Sequence, residues 1–204
     1  MKNKINKQKG YTIIETMIAV SLFLVIVTIG MGALLNANLL HNKSQDMRSI
    51  MDNLSFIMED MSKNLRTGYN YRCIDAPSDF NDANVSIAES GVDCWGIAFE
   101  FATGDPTNNT DQWVYQISND THIYRATTGP YTSSSNFLQL TPDEIVINTT
   151  ASKFSILGAE APSATPSNKQ QPLVTIRLVG DITYKGVKTP FSLQTSVSQR
   201  AIDI

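Results

Sequence analysis

Residues 9–40 read KGYTIIETMIAVSLFLVIVTIGMGALLNANLL, and this stretch decides how the chain is organised. No charged residue lies between Thr16 and Leu40, and Glu15 is the one charge in the 23 residues from Ile13 to Leu35. As an α-helix those residues span about 34 Å, which is enough to cross a bilayer. The run is too long for the apolar core of an ordinary secretory signal peptide. We therefore expect a membrane-spanning helix.

The flank of this run predicts its orientation. Residues 1–9 contain four lysines and no acid. Because basic flanks stay on the cytoplasmic side of a membrane, we expect the N-terminus in the cytoplasm and the chain beyond the helix outside it. The four basic residues are Lys2, Lys4, Lys7 and Lys9.

Glu15 needs an explanation, since a carboxylate near the centre of a membrane helix costs about 2.5–3.5 kcal/mol and less near its end. One interpretation places Glu15 at headgroup depth, where it is solvated. In the other, cleavage after Gly10 creates an ammonium on Tyr11, one helical turn before Glu15, and the two charges pair. A glutamate in the first turn also suits the helix dipole.

Residues 9–15 (KGYTIIE) and the uncharged run after them resemble the N-terminal signal of type IV pilins and pseudopilins. In that family a prepilin peptidase cuts a short basic leader after glycine and methylates the new N-terminus, and the fifth mature residue is a glutamate needed for assembly. The resemblance implies cleavage between Gly10 and Tyr11, N-methylation of Tyr11 and an assembly role for Glu15. Phenylalanine is commoner than tyrosine at the first mature position.

The resemblance also implies a fold, a function and partners. The fold is α+β and pilin-like, with a long N-terminal α-helix packed on an antiparallel β-sheet head. The function is that of a minor pilin or pseudopilin in a type IV pilus-like or type II secretion-like filament. Its partners are the prepilin peptidase, other pilin or pseudopilin subunits through the N-terminal helix, the assembly platform protein and, before assembly, the cytoplasmic membrane. The mature form lies in a cell-surface or cell-envelope filament.

Helical periodicity continues beyond the membrane run, with no proline before Pro77. We predict one helix from about Tyr11 to Arg66, capped near Gly68. Residues 54–66 (LSFIMEDMSKNLR) resemble J-type pseudopilins and W-type minor pilins. The predicted core positions on this part of the helix are Met51, Leu54, Met58, Met61 and Leu65. The predicted divisions are a cleaved leader (1–10), a transmembrane and assembly helix (11–38), its amphipathic continuation (39–68) and an extracytoplasmic β-rich head (69–204).

Gly30 and Gly32 lie inside the membrane helix, where each costs about 1 kcal/mol of helix stability relative to alanine. One interpretation is close packing of neighbouring helices. The other is a weak point at which the helix unwinds during assembly.

The head reads as short strands and turn-rich loops, which with one leading helix predicts an α+β class. Residues 191–200 (FSLQTSVSQR) resemble the last strand of bacterial minor pilins. Long loops are expected at Asp75–Gly91 and Gly158–Gln171. The predicted strands are Trp95–Phe101, Gln112–Ser118 and Thr121–Thr127 around an Asn119-Asp120 turn, Glu144–Asn148, Lys153–Leu157, and Leu173–Tyr184 and Val187–Ser198 around a Lys185-Gly186 turn.

Cys73 and Cys94 are the two cysteines of the chain. Outside the cytoplasm they are expected to form a disulfide, worth about 3 kcal/mol for a loop of this length. The alternative is two free buried thiols. Oxygen-bearing side chains cluster between Asp75 and Asn84, where calcium is the alternative to a solvated loop. We expect no metal and no cofactor.

Charge and motifs exclude other classes. The 16 basic and 19 acidic residues give a net charge of −3, and loss of the leader lysines leaves 12 against 19, or −7. No nucleic acid is therefore expected as a direct partner. His41 and His122 stand in no nucleophile, zinc or phosphate-loop motif, so we expect no enzyme. The alternatives are a membrane-anchored binding module or adhesin that does not polymerise, and an anchored enzyme.

Overall fold

The computed structural model describes residues 10–76, 79–83, 85–105, 107–160 and 170–200, so the leader up to residue 9, Asn84 and most of the predicted loop at 158–171 lie outside the described residues. The chain divides into two compact units between Asp46 and Met47. One helix, α1 (Ile13–Thr67), begins in the first unit and ends in the second. It starts two residues later than predicted because Thr12 is its N-cap, as shown below.

In the first unit, α1 has apolar side chains on every side, and no residue from 10 to 46 is buried. All residues from 11 to 40 are exposed except Val27, which is half-buried. The polar side chains along it bond back to the helix. Ser21 Oγ donates to the Ile18 carbonyl at 2.9 Å, and Thr28 Oγ1 donates to the Leu24 carbonyl at 2.8 Å. A helix that is apolar all round must be covered by something outside its own chain.

The described part of the second unit holds ten strands: β1 (Tyr69–Ile74), β2 (Gly91–Cys94), β3 (Gly96–Glu100), β4 (Trp113–Ile117), β5 (Ile123–Ala126), β6 (Leu138–Gln139), β7 (Ile145–Ile147), β8 (Lys153–Leu157), β9 (Leu173–Tyr184) and β10 (Val187–Ser198). They form two sheets. The first has the order β1-β3-β4-β5-β6, and the second has the order β10-β9-β8-β2 with β7 also paired to β9. Adjacent strands are antiparallel, which together with α1 confirms the α+β class.

The main core joins one stripe of α1 to both sheets. The stripe recurs at the helical period and consists of Ile50, Leu54, Ile57, Met58, Met61 and Leu65. Met51, predicted as core, is only half-buried. A smaller cluster lies on the other face of the first sheet, where Phe80, Val85 and Tyr131 cover Ala98 and Val114. Two residues of the loop predicted at Asp75–Gly91, Phe80 and Val85, therefore help to cover a second core.

Two hairpins show how turn residues set the strand ends. The β9–β10 turn is Lys185-Gly186, as predicted, with φ values of 45° and 77°. Two successive positive φ angles are typical of a type I′ turn. The two-residue β4–β5 turn predicted at Asn119-Asp120 is wrong. Ser118 and His122 bond to each other, and the loop has three residues ending at Thr121 (φ 71°), a left-handed position that such loops require.

The C-terminal end of α1 is fixed by close packing at Gly68. A Cβ added there would lie 2.4 Å from Cδ2 of Phe99, so only glycine fits. The buried Tyr71 hydroxyl lies 2.7 Å from the Gly68 carbonyl and 2.5 Å from the Leu65 carbonyl, which satisfies backbone acceptors that the helix itself leaves open. The helix thus ends where predicted, but Gly68 is required for close packing rather than for the left-handed conformation of a glycine cap.

Candidate functional site

The N-terminal end of α1 is closed by a reciprocal pair of hydrogen bonds between Thr12 and Glu15. The Glu15 N–H donates to Thr12 Oγ1 at 3.3 Å, and the Thr12 N–H donates to Glu15 Oε2 at 3.4 Å. This is a capping box, in which the N-cap hydroxyl and the third helical residue each satisfy a backbone donor of the other. The arrangement fixes the helix start and holds the Glu15 carboxylate in the first turn.

The Glu15 carboxylate is exposed, and within the described residues Thr12 is its hydrogen-bond partner and no ion pair reaches it. Tyr11, one turn earlier, is 83% exposed, and Gly10 is exposed as well. In the full chain the Tyr11 nitrogen is part of the peptide bond to Gly10. The charge partner predicted for Glu15 therefore arises only after that bond is cut.

Thr12 is a residue that the sequence prediction missed. Its signal was present as the Thr-x-x-Glu spacing directly before an apolar run, which is the pattern of a capping box. The sequence analysis gives Glu15 either solvation at headgroup depth or a charge pair, together with a helix-dipole contribution and an assembly role implied by the resemblance. The structure gives Glu15 an additional local role, and any test of its function must separate the cap from the charge.

The helix surface behind Glu15 is the other part of the candidate site. By length and composition, one helix among the described residues, α1, is long enough and apolar enough to cross a membrane. It continues unbroken through Gly30 and Gly32. A Cβ at either glycine would meet nothing within 4 Å, so neither packs against another part of the described chain. This surface can therefore contact lipid or other helices.

The disulfide predicted from the sequence is present. Cys73 on β1 and Cys94 on β2 are joined, with Cα atoms 5.5 Å apart. Because β1 belongs to the first sheet and β2 to the second, the bond links the two sheets. The pairing leaves no thiolate at this position for a metal.

The predicted calcium alternative at residues 75–84 gains little from the structure. Asp82 Oδ1 accepts a hydrogen bond from the Tyr131 N–H at 3.1 Å. The side chain of Phe80, in the same loop, is buried. Asn84 lies outside the described residues. The Asp82 contact and the buried Phe80 place this loop as a cover for the smaller core.

The two histidines contact near neighbours in sequence. His41 Nε2 lies 3.0 Å from Gln45 Nε2 on the same helix. His122 Nδ1 lies 2.8 Å from the Asp120 carbonyl in the β4–β5 loop. Each interaction spans a few residues of one element, and the structure brings the two imidazoles to different elements of different units.

Comparison with known proteins bears on the same N-terminal segment. A model of the prokaryotic N-terminal methylation motif matches residues 5–34. The match includes Gly10, Tyr11, the capping box and both glycines of the apolar helix, and it ends before the second unit begins. No curated protein and no solved structure gives a significant match to the chain.

Proposed function

We propose that this chain, which carries the N-terminal methylation motif of type IV pilins and pseudopilins, is a minor pilin or pseudopilin of a type IV pilus-like or type II secretion-like filament. The motif points to a structural subunit and a substrate of prepilin peptidase rather than to an enzyme. The motif and the apolar helix also indicate a chain that is anchored in a membrane before it enters a filament. The observation that best supports this proposal is that the first half of α1, which follows the Gly10-Tyr11 bond, is apolar and exposed.

Processing would remove residues 1–10 and free the amine of Tyr11. Support for this site comes from the exposure of Gly10 and Tyr11 and from their place directly before the capped helix start. A protease needs an accessible, extended peptide bond, and residues 10–12 precede the first helical residue, Ile13. Methylation would then act on the Tyr11 nitrogen.

Assembly would exchange lipid around the first unit for the helices of neighbouring subunits, with the assembly platform protein as the partner that inserts them. This exchange replaces one apolar contact by another, so burial alone drives little of it. Polar pairing in the apolar layer can therefore decide register and recruitment. We assign that role to the Glu15 carboxylate and the Tyr11 ammonium of a neighbouring subunit, since charges in such a layer are stable only when paired.

The experiment compares Glu15→Ala with Thr12→Ala in the full chain, expressed in its own cell. Both variants break the capping box, but only Glu15→Ala removes the carboxylate. We expect both to be cut after Gly10, with Thr12→Ala entering sheared filaments and Glu15→Ala remaining in the membrane fraction. Mass spectrometry of the N-terminus scores the cut and the methyl group, and Glu59→Ala, an exposed acid further along α1, serves as the matched control.

Three outcomes would contradict the proposal. Normal filament entry of Glu15→Ala would remove the assembly role from the carboxylate. An equal defect in Thr12→Ala would reduce Glu15 to a helix cap. An N-terminus that is never cut, in a chain that stays in the membrane, would favour an anchored binding module that does not polymerise.

A further inference from the structure

Glu100, the last residue of β3, is a carboxyl group buried to 0% exposure. Its described hydrogen bond is to Gln112, whose Nε2 donates to Glu100 Oε2 at 3.0 Å. An ionised carboxylate has about four acceptor positions, and burying a charge without partners is costly. One amide donor leaves most of this requirement unmet.

Three oxygen atoms beside the loop between β3 and β4 (residues 101–112) share this deficit. Glu100 Oε1, Asp111 Oδ1 and Gln112 Oε1 are buried and have no hydrogen-bond partner within the described residues. The Gln112 amide has no donor to spare, because its Nε2 bonds both Glu100 Oε2 and the Asn108 carbonyl. All three unsatisfied atoms are acceptors in an ionised site, so they need a donor or a cation that no described side chain supplies.

Glu100 Oε1 is aimed at the backbone of this loop. A Cβ built on Gly104 would lie 1.8 Å from that oxygen. On the other side of the loop, the Asp105 N–H donates to Asp111 Oδ2 at 2.9 Å, which leaves Oδ1 as the open oxygen of Asp111. The buried floor and the loop thus present hard oxygen atoms to the same segment of chain.

No lysine or arginine occurs from residue 99 to residue 124, while Glu100, Asp105, Asp111 and Asp120 do. Burial raises the pKa of Glu100 to about 7, and the charges of Asp111 and Asp105 add to this rise. Burial and then the Glu100 charge raise the pKa of Tyr69, which pairs with Glu100 across β1 and β3. The charged groups that shift these two pKa values are all acidic.

We propose that a divalent cation, with calcium preferred, binds beside the buried Glu100 side chain, and that Glu100, Gln112 and Asp111 supply its protein oxygens. An all-oxygen set suits hard cations and not zinc or copper. Calcium accepts six to eight oxygens in irregular geometry with water among them, whereas magnesium demands a near-ideal octahedron. The sequence analysis expects no metal, since a lone glutamate in the apolar run WGIAFEF carries no ligand spacing that would suggest one.

The carboxylates of Glu100, Asp105 and Asp111 do not already form a tight cluster in the structure. The set of three Cys, Asp, Glu or His ligand atoms that the structure brings within 4.8 Å in its described part is Cys73, Asp75 and Cys94, whose sulfurs form the disulfide. Glu100 and Gln112 form a fixed floor, while Asp105 is exposed and Asp111 half-buried. The cation would therefore bring the Asp111 carboxylate toward the oxygens of Glu100 and Gln112.

The test uses the full chain in detergent, freed of metal by EDTA and then given CaCl₂ or MgCl₂ at pH 7.5. We expect calcium to bind by titration calorimetry and to raise the melting temperature, since a ligand at 100 times its Kd shifts the folding equilibrium about 100-fold. Magnesium should act more weakly. Lowering the pH below 7 should weaken calcium binding, because protons compete for Glu100.

Two variants make the test decisive. Glu100→Gln removes the buried charge, so it should fold in EDTA at least as well as the parent and yet lose the calcium response. Gly104→Ala should lose the response by displacing Glu100 Oε1 without a charge change, while Glu59→Gln should keep it. The site is overturned if the parent chain does not respond to millimolar calcium, as a neutral Glu100 acid would predict, or if Glu100→Gln responds like the parent.

Discussion

The two halves of helix α1 differ in where their stabilising contacts lie. From Ile13 to Leu40 the helix is apolar on every side and is exposed almost throughout, whereas from Ile50 to Leu65 it buries one stripe in the core of the second unit. One continuous helix thus contains a segment whose apolar side chains are exposed and a segment whose apolar side chains pack against the rest of the chain. The hydrophobic pattern, all round against one-sided, is what separates the two.

The largest expected difference between the halves comes from the same leucine truncation in each. Leu54 is 0% exposed and Leu24 is 56% exposed. Leu54→Ala should lower the free energy of unfolding of the second unit by about 2–5 kcal/mol, as a core cavity does. Leu24→Ala should change it by less than about 0.5 kcal/mol. Both tryptophans, Trp95 and Trp113, lie in the second unit, so their fluorescence during guanidinium unfolding in detergent measures it selectively.

Ser55→Ala, an exposed neighbour of Leu54 on α1, is the matched control for helix effects. A loss of stability from Leu24→Ala as large as that from Leu54→Ala would contradict the comparison. It would mean that the first unit has a core of its own.

Loss of the Cys73–Cys94 disulfide should lower the stability of the second unit only. Replacing both Cys73 and Cys94 by serine should cost the second unit about 3 kcal/mol, because the bond closes a loop between residues 21 apart in sequence. Dithiothreitol should destabilise the parent chain by a similar amount and leave the double variant unchanged. Unfolding of the double variant that matches the oxidised parent would show that the bond contributes nothing.

Much of this organisation was predictable because it depends on local pattern. The uncharged run, the glycine and glutamate before it and the helical period after it each extend over a few turns, and the structure confirms the helix to within two residues. The β9–β10 hairpin was predictable for the same reason, since Lys185-Gly186 carries the residues that a two-residue turn needs.

What failed depended on contacts distant in sequence. The buried Glu100 is set by Gln112 and by strands on either side, none of which a single strand pattern reveals. Strands β2 and β6 were also not predicted. They form because they pair with β8 and β5, and not because their residues have a strong strand propensity. The β4–β5 loop is a local exception, because Thr121 adopts a left-handed conformation that usually favours glycine.

Replacing a glycine by alanine should have opposite effects on stability in the first half of α1 and at its C-terminal end. Gly68→Ala would drive a Cβ against Phe99 and the Glu100 carbonyl, at 2.4 and 3.0 Å, and should destabilise the second unit by about 1–3 kcal/mol. Gly30→Ala meets nothing and should strengthen the helix by about 1 kcal/mol, seen as added helicity in detergent. If the filament needs a close helix approach or local unwinding at Gly30, this variant should nevertheless assemble poorly.

A pH dependence is also expected, and it belongs to the second unit alone. The pKa of Glu100 is raised to about 7 from an ordinary 4.5, so between those values the folded state holds more protons than the unfolded one. In EDTA the melting temperature should therefore fall as pH rises from 5 to 7 and level off above it, with a slope of at most one proton. Glu100→Gln should remove this fall, and Glu59→Gln should retain it. The lowered pKa values of Asp105, Asp120 and Glu160 act below the ordinary carboxyl range and leave this window to Glu100. A melting temperature that rises with pH across it would mean that Glu100 is ionised and paired in the folded chain even without a divalent cation.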